Sequence, residues 1–242
     1  MLRFMTVILL AGALVTGCKD TKKEAIPETE VPAKKVFYGK VVIVSRFTAG
    51  DTVLSASLSA FSPERMEMYF QQDSFRLIEH GGMSKGNILV YPKLQEAWQL
   101  DTVNKLAIFG EYSDLGDPSD ALKDLMPDHF APTVEATNEK ITIAGHPCTK
   151  YRVIRSGIIP SSDTAYIWAA DDMVFPSSRY DIQTEVNQVV VPPNVYLGYE
   201  GGAVLRLQVI NKRYTRTFEV IELSENNFPT NIFRIPSDYQ KK

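Results

Sequence analysis

The sequence predicts a mainly β protein of the α+β class: an antiparallel sheet or barrel with one or few short helices. Three observations predict it. From Val36 onward the dominant apolar period is two, the period of side chains alternating across a strand. The alternating runs are separated by Gly, Pro, Asn and Asp, as in hairpin-connected strands. Only one stretch breaks the period in favour of a capped helix.

The chain opens on a different kind of segment. Met1–Arg3 carries one positive charge, Phe4–Val15 is almost wholly apolar, and Thr16-Gly17 are small. That is the layout of a secretory signal peptide, too short to span a bilayer comfortably. Its end, Val15-Thr16-Gly17-Cys18, resembles the lipobox of bacterial lipoproteins, in which the leader is cut before the cysteine and the sulfur is diacylated. Residues 1–17 are therefore expected to be a signal peptide and Cys18 the lipidated residue. Two acyl chains suffice for stable attachment, so the membrane is an expected partner through the N-terminal lipid. Residues 18–35, rich in Lys, Glu, Thr and Pro, read as a disordered tether. Lys19 is not the aspartate that retains enterobacterial lipoproteins at the inner membrane, so the expected location is the outer membrane, on its periplasmic side or at the cell surface.

Residues 36–242 form the expected β domain. Leu54, Ala56, Leu58 and Ala60 alternate with Ser55, Ser57 and Ser59 and read as a half-buried strand. Met66, Met68 and Phe70 alternate with Arg65, Glu67 and Tyr69, and Phe75 and Leu77 flank Arg76. Ile141/Ile143, Tyr151/Val153 and Ala165/Ile167/Ala169 continue the pattern, and Ala203–Ile210 and Tyr214–Leu223 make two longer strands. The helix is expected at Asp117–Met126, with Asp117 as N-cap, Pro118 in the first turn, and Ala121, Leu122, Leu125 and Met126 on one face.

Composition bounds the function. Hydrophobic residues are 44% and charged residues 23% of 242, ordinary for a globular protein large enough to fold without disulfides or metals. The formal net charge is -3, or -4 once Arg3 leaves with the leader, which offers no basic footprint for nucleic acid.

Four segments in order resemble the LolA/LolB-like superfamily, especially a group of Bacteroidota-type lipoproteins built on a domain of unknown function. They are Met66-Glu67-Met68-Tyr69-Phe70 with Phe75-Arg76-Leu77 and Gly81-Gly82-Met83, then Ile143-Ala144-Gly145-His146-Pro147-Cys148-Thr149-Lys150-Tyr151. Ile167-Trp168-Ala169-Ala170-Asp171-Asp172 and Phe233-Arg234-Ile235-Pro236-Ser237-Asp238-Tyr239 follow. The resemblance spans Val36 to Tyr239. It implies a strongly curved antiparallel half-barrel with an apolar concave side, which helices cover in the characterised carriers and beneath which acyl chains bind. This chain supplies one convincing helix, a departure from the carrier pattern.

Chemistry-bearing residues are few. Gly82-Met83-Ser84-Lys85-Gly86 matches the G-x-S-x-G nucleophile elbow, which needs a strand turning into a helix. Here Asn87–Tyr91 reads as a strand, so the glycines are assigned to a hairpin loop. His80, His129 and His146 lack ligand spacing, and Asp114, Asp117, Asp120, Asp124 and Asp128 lack the calcium-loop order, so no metal and no cofactor is expected. Asp171-Asp172 reads as a strand-terminating turn, and Cys148 as a core thiol. The expectation is a non-enzymatic protein. In the half-barrel that the resemblance implies, Met66, Met68, Phe70, Phe75, Leu77 and Trp98 would line the concave face, with Leu122 and Leu125 of the helix over its opening. A lipid or acyl ligand is the expected guest. The alternative is a structural or interaction protein with a filled core, docking another envelope protein.

Overall fold

The computed structural model describes residues 34–82, 86–94, 96–114, 133–155, 163–176, 180–183, 188–189, 199, 201–226, 228–229 and 231–242; for 111–114, 155, 180–183 and 188–189 only the backbone is described. Cys18 and most of the tether, Ser84, His129 and the helix expected at Asp117–Met126, with Leu122 and Leu125, lie outside the described residues.

Two strand meanders build one sheet. The first runs through β2 (Gly39–Ala49), β3 (Arg65–Gln71), β4 (Ser74–His80), β5 (Asn87–Tyr91), β6 (Glu96–Asp101) and β7 (Leu106–Asp114). The second comprises β8 (Thr133–Ile143), β9 (His146–Arg155) and β10 (Thr164–Ala170), then β14 (Val204–Ile210) and β15 (Tyr214–Glu225). The short β12 (Tyr180–Gln183) and β13 (Gln188–Val189) extend the far side of β7, and β16 (Gln240–Lys241) pairs β7 in parallel. The order is β13-β12-β7-β6-β5-β4-β3-β2-β15-β14-β10-β9-β8. All neighbours along this path are antiparallel. Among the described residues β8 and β13 do not pair with each other, so the sheet is an open, curved half-barrel and not a closed barrel. A separate parallel pair, β1 (Lys35–Val36) with β11 (Met173–Val174), lies near the start of β2.

The seam between the meanders is the pairing of β15 with β2, from Tyr214 opposite Ala49 to Glu225 opposite Gly39. Gly39 is required there: a Cβ on it would stand 2.3 Å from the Ser224 carbonyl oxygen. Bulges interrupt the β15–β2 pairing between Val220 and Glu222, β10–β14 at Ala169 opposite Val204, and β8–β9 between Ala136 and Lys140. Bulges bend strands and sharpen twist, so they favour curvature over a flat sheet.

One strand expectation fails. Residues 52–61 are a helix, α1 (Thr52–Phe61). Asp51 caps it, its carboxylate accepting from Val53 N at 2.8 Å and Leu54 N at 3.2 Å. The apolar spacing permits either reading, because Leu54 and Leu58 share a face both in a strand and, one turn apart, in a helix. They are the half-buried pair, whereas Ala56 and Ala60 are exposed. The cap and the high helix propensity of Ala and Leu decide the outcome. The Ser55 hydroxyl donates to the Phe47 carbonyl at 3.2 Å and ties α1 to β2.

The expected hairpin after β4 is present. Gly81 and Gly82 adopt φ of 79° and 69°, and β5 follows where a nucleophile elbow would need a helix.

Candidate ligand-binding face

Alternation sorts the meander into two faces. Met66, Met68 and Phe70 of β3, Phe75 and Leu77 of β4, and Val41 and Ile43 of β2 join one buried cluster with Ile88, Val90 and Ala97. Register makes this one surface: Met68 pairs with Val41 and Leu77, and Phe75 pairs with Phe70 and Val90. A second cluster on β9, β10 and β14 includes Val153, Ile167 and Leu207. Phe218 of β15 packs against both clusters, being paired with Leu207 on one side and Ser45 on the other. An apolar face thus runs from β6 to β9.

The five expected ligand residues on β3 and β4 sit together on this face with 0 to 2% exposure. Phe175 stacks on Phe70 with ring centroids 5.4 Å apart, and Phe37 meets Phe175 edge-on at 5.9 Å. Between Ile43, Leu207, Phe218 and Val220 there is a crevice of about 10 Å³, roughly the room for one water. Trp98 does not join the five. It lies on the opposite face with Tyr69, Leu89 and Phe233, its indole N–H donating to Glu96 at 3.3 Å. There the C-terminal segment straps the sheet: Tyr91 donates to the Phe233 carbonyl at 2.7 Å, Arg76 donates to the Ile232 carbonyl, and Lys105 lies over the Tyr239 ring.

The apolar face ends in a polar corner that alternation alone does not reveal. Beyond Ile43 the same column continues to Ser45 and Phe47, and beyond Phe218 to Arg216. The Arg216 guanidinium lies 4.2 Å from the Phe218 ring centroid and 5.0 Å from that of Phe47. Its Nε and the Ser45 hydroxyl are buried without a hydrogen-bond partner. Burial pulls the Arg216 pKa below its ordinary value, with Tyr214 acting the other way. The sequence signal is present but ambiguous: an arginine within the Tyr214–Leu223 strand, whose facing depends on partners far away in the chain.

On the opposite face of the second meander polar groups engage one another. Trp168, 4% exposed, lies opposite Lys150 and Arg206 on its neighbouring strands. Both cations stand over its ring, at 5.0 and 5.2 Å from the centroid. Glu139 accepts from Lys150 at 2.7 Å and from the Trp168 indole at 3.3 Å.

The remaining candidates take structural places. Cys148 is buried, its thiol donating to the His146 carbonyl at 3.4 Å; burial pushes its pKa up to about 11, away from a reactive thiolate. Asp171 and Asp172 form the turn after β10, and they take separate partners. Asp171 accepts from Thr149 at 2.9 Å, and Asp172 meets His146 Nδ1 at 2.9 Å. Among the described residues no group of three His, Cys, Asp or Glu side chains could hold a metal ion, and no helix is long and apolar enough to cross a membrane.

No protein-family profile matches the chain, and no curated protein matches it. Solved structures do. An uncharacterized conserved protein from Thermus thermophilus matches at 9% identity and TM-score 0.43, over 85% of this chain and 90% of that one. PNGF-II matches at 12% identity and TM-score 0.40 over 84% of this chain, which spans only 30% of that protein. A LolA superfamily protein from Nitrosomonas europaea matches at 10% identity and TM-score 0.31, over 85% of this chain and 93% of that one. At these scores the half-barrel rests on the chain's own strand order, and the Bacteroidota-type group gains no support.

Proposed function

We propose that the chain is a lipid-anchored protein of the bacterial outer membrane that works by binding, and that its ligand is a lipid or acyl chain taken against the apolar face. The observation that carries this is the continuity of that face across an open sheet, from β6 to β9, with adaptable methionines at its centre. A bound chain would displace what now covers Met66, Met68, Phe70, Phe75 and Leu77, since their burial leaves no room beside them.

That same burial favours a second reading: an envelope interaction protein whose sheet is permanently filled and whose surface does the docking. Mass spectrometry of organic extracts separates the two. Protein purified from its own membranes should release a lipid or acyl species in near-stoichiometric amount, beyond the covalent anchor. Extracts holding only the anchor would leave the interaction reading. In parallel, Cys18→Ser should block processing and incorporation of labelled palmitate; a mutant still cleaved and membrane-bound refutes the anchor.

A further inference from the structure

The charge that stands alone on the apolar face is Arg216. A guanidinium stays ionised in proteins, so it cannot escape burial by losing its proton. Phe47 and Phe218 offer it their ring faces, a cation–π attraction that satisfies none of its N–H donors. Its neighbours across β14 and β2 are Val209 and Phe47, and among the described residues it has no carboxylate partner. Glu79 reaches the same face but is engaged with the Gly86 N–H at 3.0 Å. Arg216 as a whole is half-buried, but its Nε and the Ser45 hydroxyl are shut off from solvent, and a buried polar atom without a partner is costly.

Of the three buried polar atoms without a hydrogen-bond partner among the described residues, Arg206 Nε has the Glu219 carboxylate 2.9 Å away, and the other two, on Ser45 and Arg216, share one corner. Ser45 lies opposite Phe218 and Arg216 opposite Phe47, so Ser45 and Arg216 are diagonal neighbours on the same face. Diagonal pairs stand roughly 7–8 Å apart, a gap that a carboxylate or phosphate can bridge. From this corner the column Ile43–Val41 leads about 13 Å, by strand rise, into the cluster that holds Met66 and Met68.

We propose that Arg216 and Ser45 receive the anionic head of a long-chain amphiphile, carboxylate or phosphate, whose chain lies along the apolar face. This rests on the lipid-binding reading and adds to it a head-group class, a head-group site and a direction for the chain. The anion supplies the acceptor that the guanidinium Nε lacks, and the Ser45 hydroxyl donates to it.

The test uses the full chain in a non-ionic detergent and two fluorescent probes that differ only at the head, parinaric acid and its methyl ester. The acid is expected to bind about tenfold tighter or more than the ester, the worth of one charge-assisted hydrogen bond. Arg216→Gln should erase the difference, Arg216→Lys should keep part of it, and Ser45→Ala should reduce it several-fold. Competition by dodecanoate against dodecyl phosphate tells which head is preferred. Equal binding of acid and ester by the wild-type protein, which needs no variant to fold, overturns the head-group site and leaves the lipid-binding reading intact. Binding of neither probe brings down both.

Discussion

Arg206 and Arg216 sit on neighbouring strands, yet their surroundings are opposite. Arg206 shares its face with anions and a large indole: its Nε is 2.9 Å from Glu219, and its guanidinium lies over Trp168. The distance is that of an ion pair, although the N–H does not point along the line a hydrogen bond needs. Arg216 faces the other way, between two phenylalanines, with no anion beside it among the described residues. The first arginine is part of a row of charges that complete one another within the protein. The second has no carboxylate match among the described residues, which is the ground for placing a ligand's anion beside it. A polar side chain therefore marks a place to bind when it is left unmatched, and marks scaffolding when it is matched.

The sharpest break of that contrast is Trp168→Ala. Removing a nearly buried indole should cost about 3–5 kcal/mol, read as a lower urea midpoint, while the acid-to-ester preference stays as it was. Selectivity lost without unfolding would mean that the scaffold row also binds. Next in size is Arg216→Met. Exchanging a lone cation for an apolar side chain of similar length should stabilise the ligand-free protein by about 1 kcal/mol, measured by the same denaturation. A destabilisation would show that the cation–π contacts with Phe47 and Phe218 outweigh the cost of the unmatched charge. Smallest is Glu139→Gln. The hydrogen bond from Lys150 holds the Glu139 carboxyl below its usual value, against the effect of burial, with the Trp168 indole adding to it. A carboxyl lowered on folding contributes stability above its unfolded pKa and loses it as pH falls through the folded one. Wild-type stability should therefore fall more steeply than that of Glu139→Gln in titrations below pH 4.5.

Much of the sheet is legible in the sequence because alternation is a local signal. The partition of Met66, Met68 and Phe70 from Arg65, Glu67 and Tyr69, the turn at Asp171-Asp172 and the hairpin glycines all follow from neighbours in sequence. Helix α1 is misread as a strand because Leu-Ser-Ala-Ser-Leu satisfies both periods, and the deciding residue, Asp51, lies outside the repeat. Trp98 is misplaced beside the methionines because alternation separates faces without saying which face of one strand continues which face of another. Arg216 escapes notice for the same reason. Its setting comes from register with Phe47, 169 positions earlier (216 − 47), and no local pattern carries that information.

An open sheet also has a rim, and β8 is one. Among the described residues it is hydrogen-bonded on one side only, which leaves an eleven-residue template for further strands. Thr137, Asn138 and Glu139 bulge opposite Lys150, stitched by the Thr137 hydroxyl to the Lys150 carbonyl at 3.0 Å, while Glu135 and Lys140 stand exposed along the strand. A bulge and exposed charges are how solitary edges resist recruiting other chains into growing aggregates. Wherever copies of this chain crowd together, that rim would keep neighbours from zipping together.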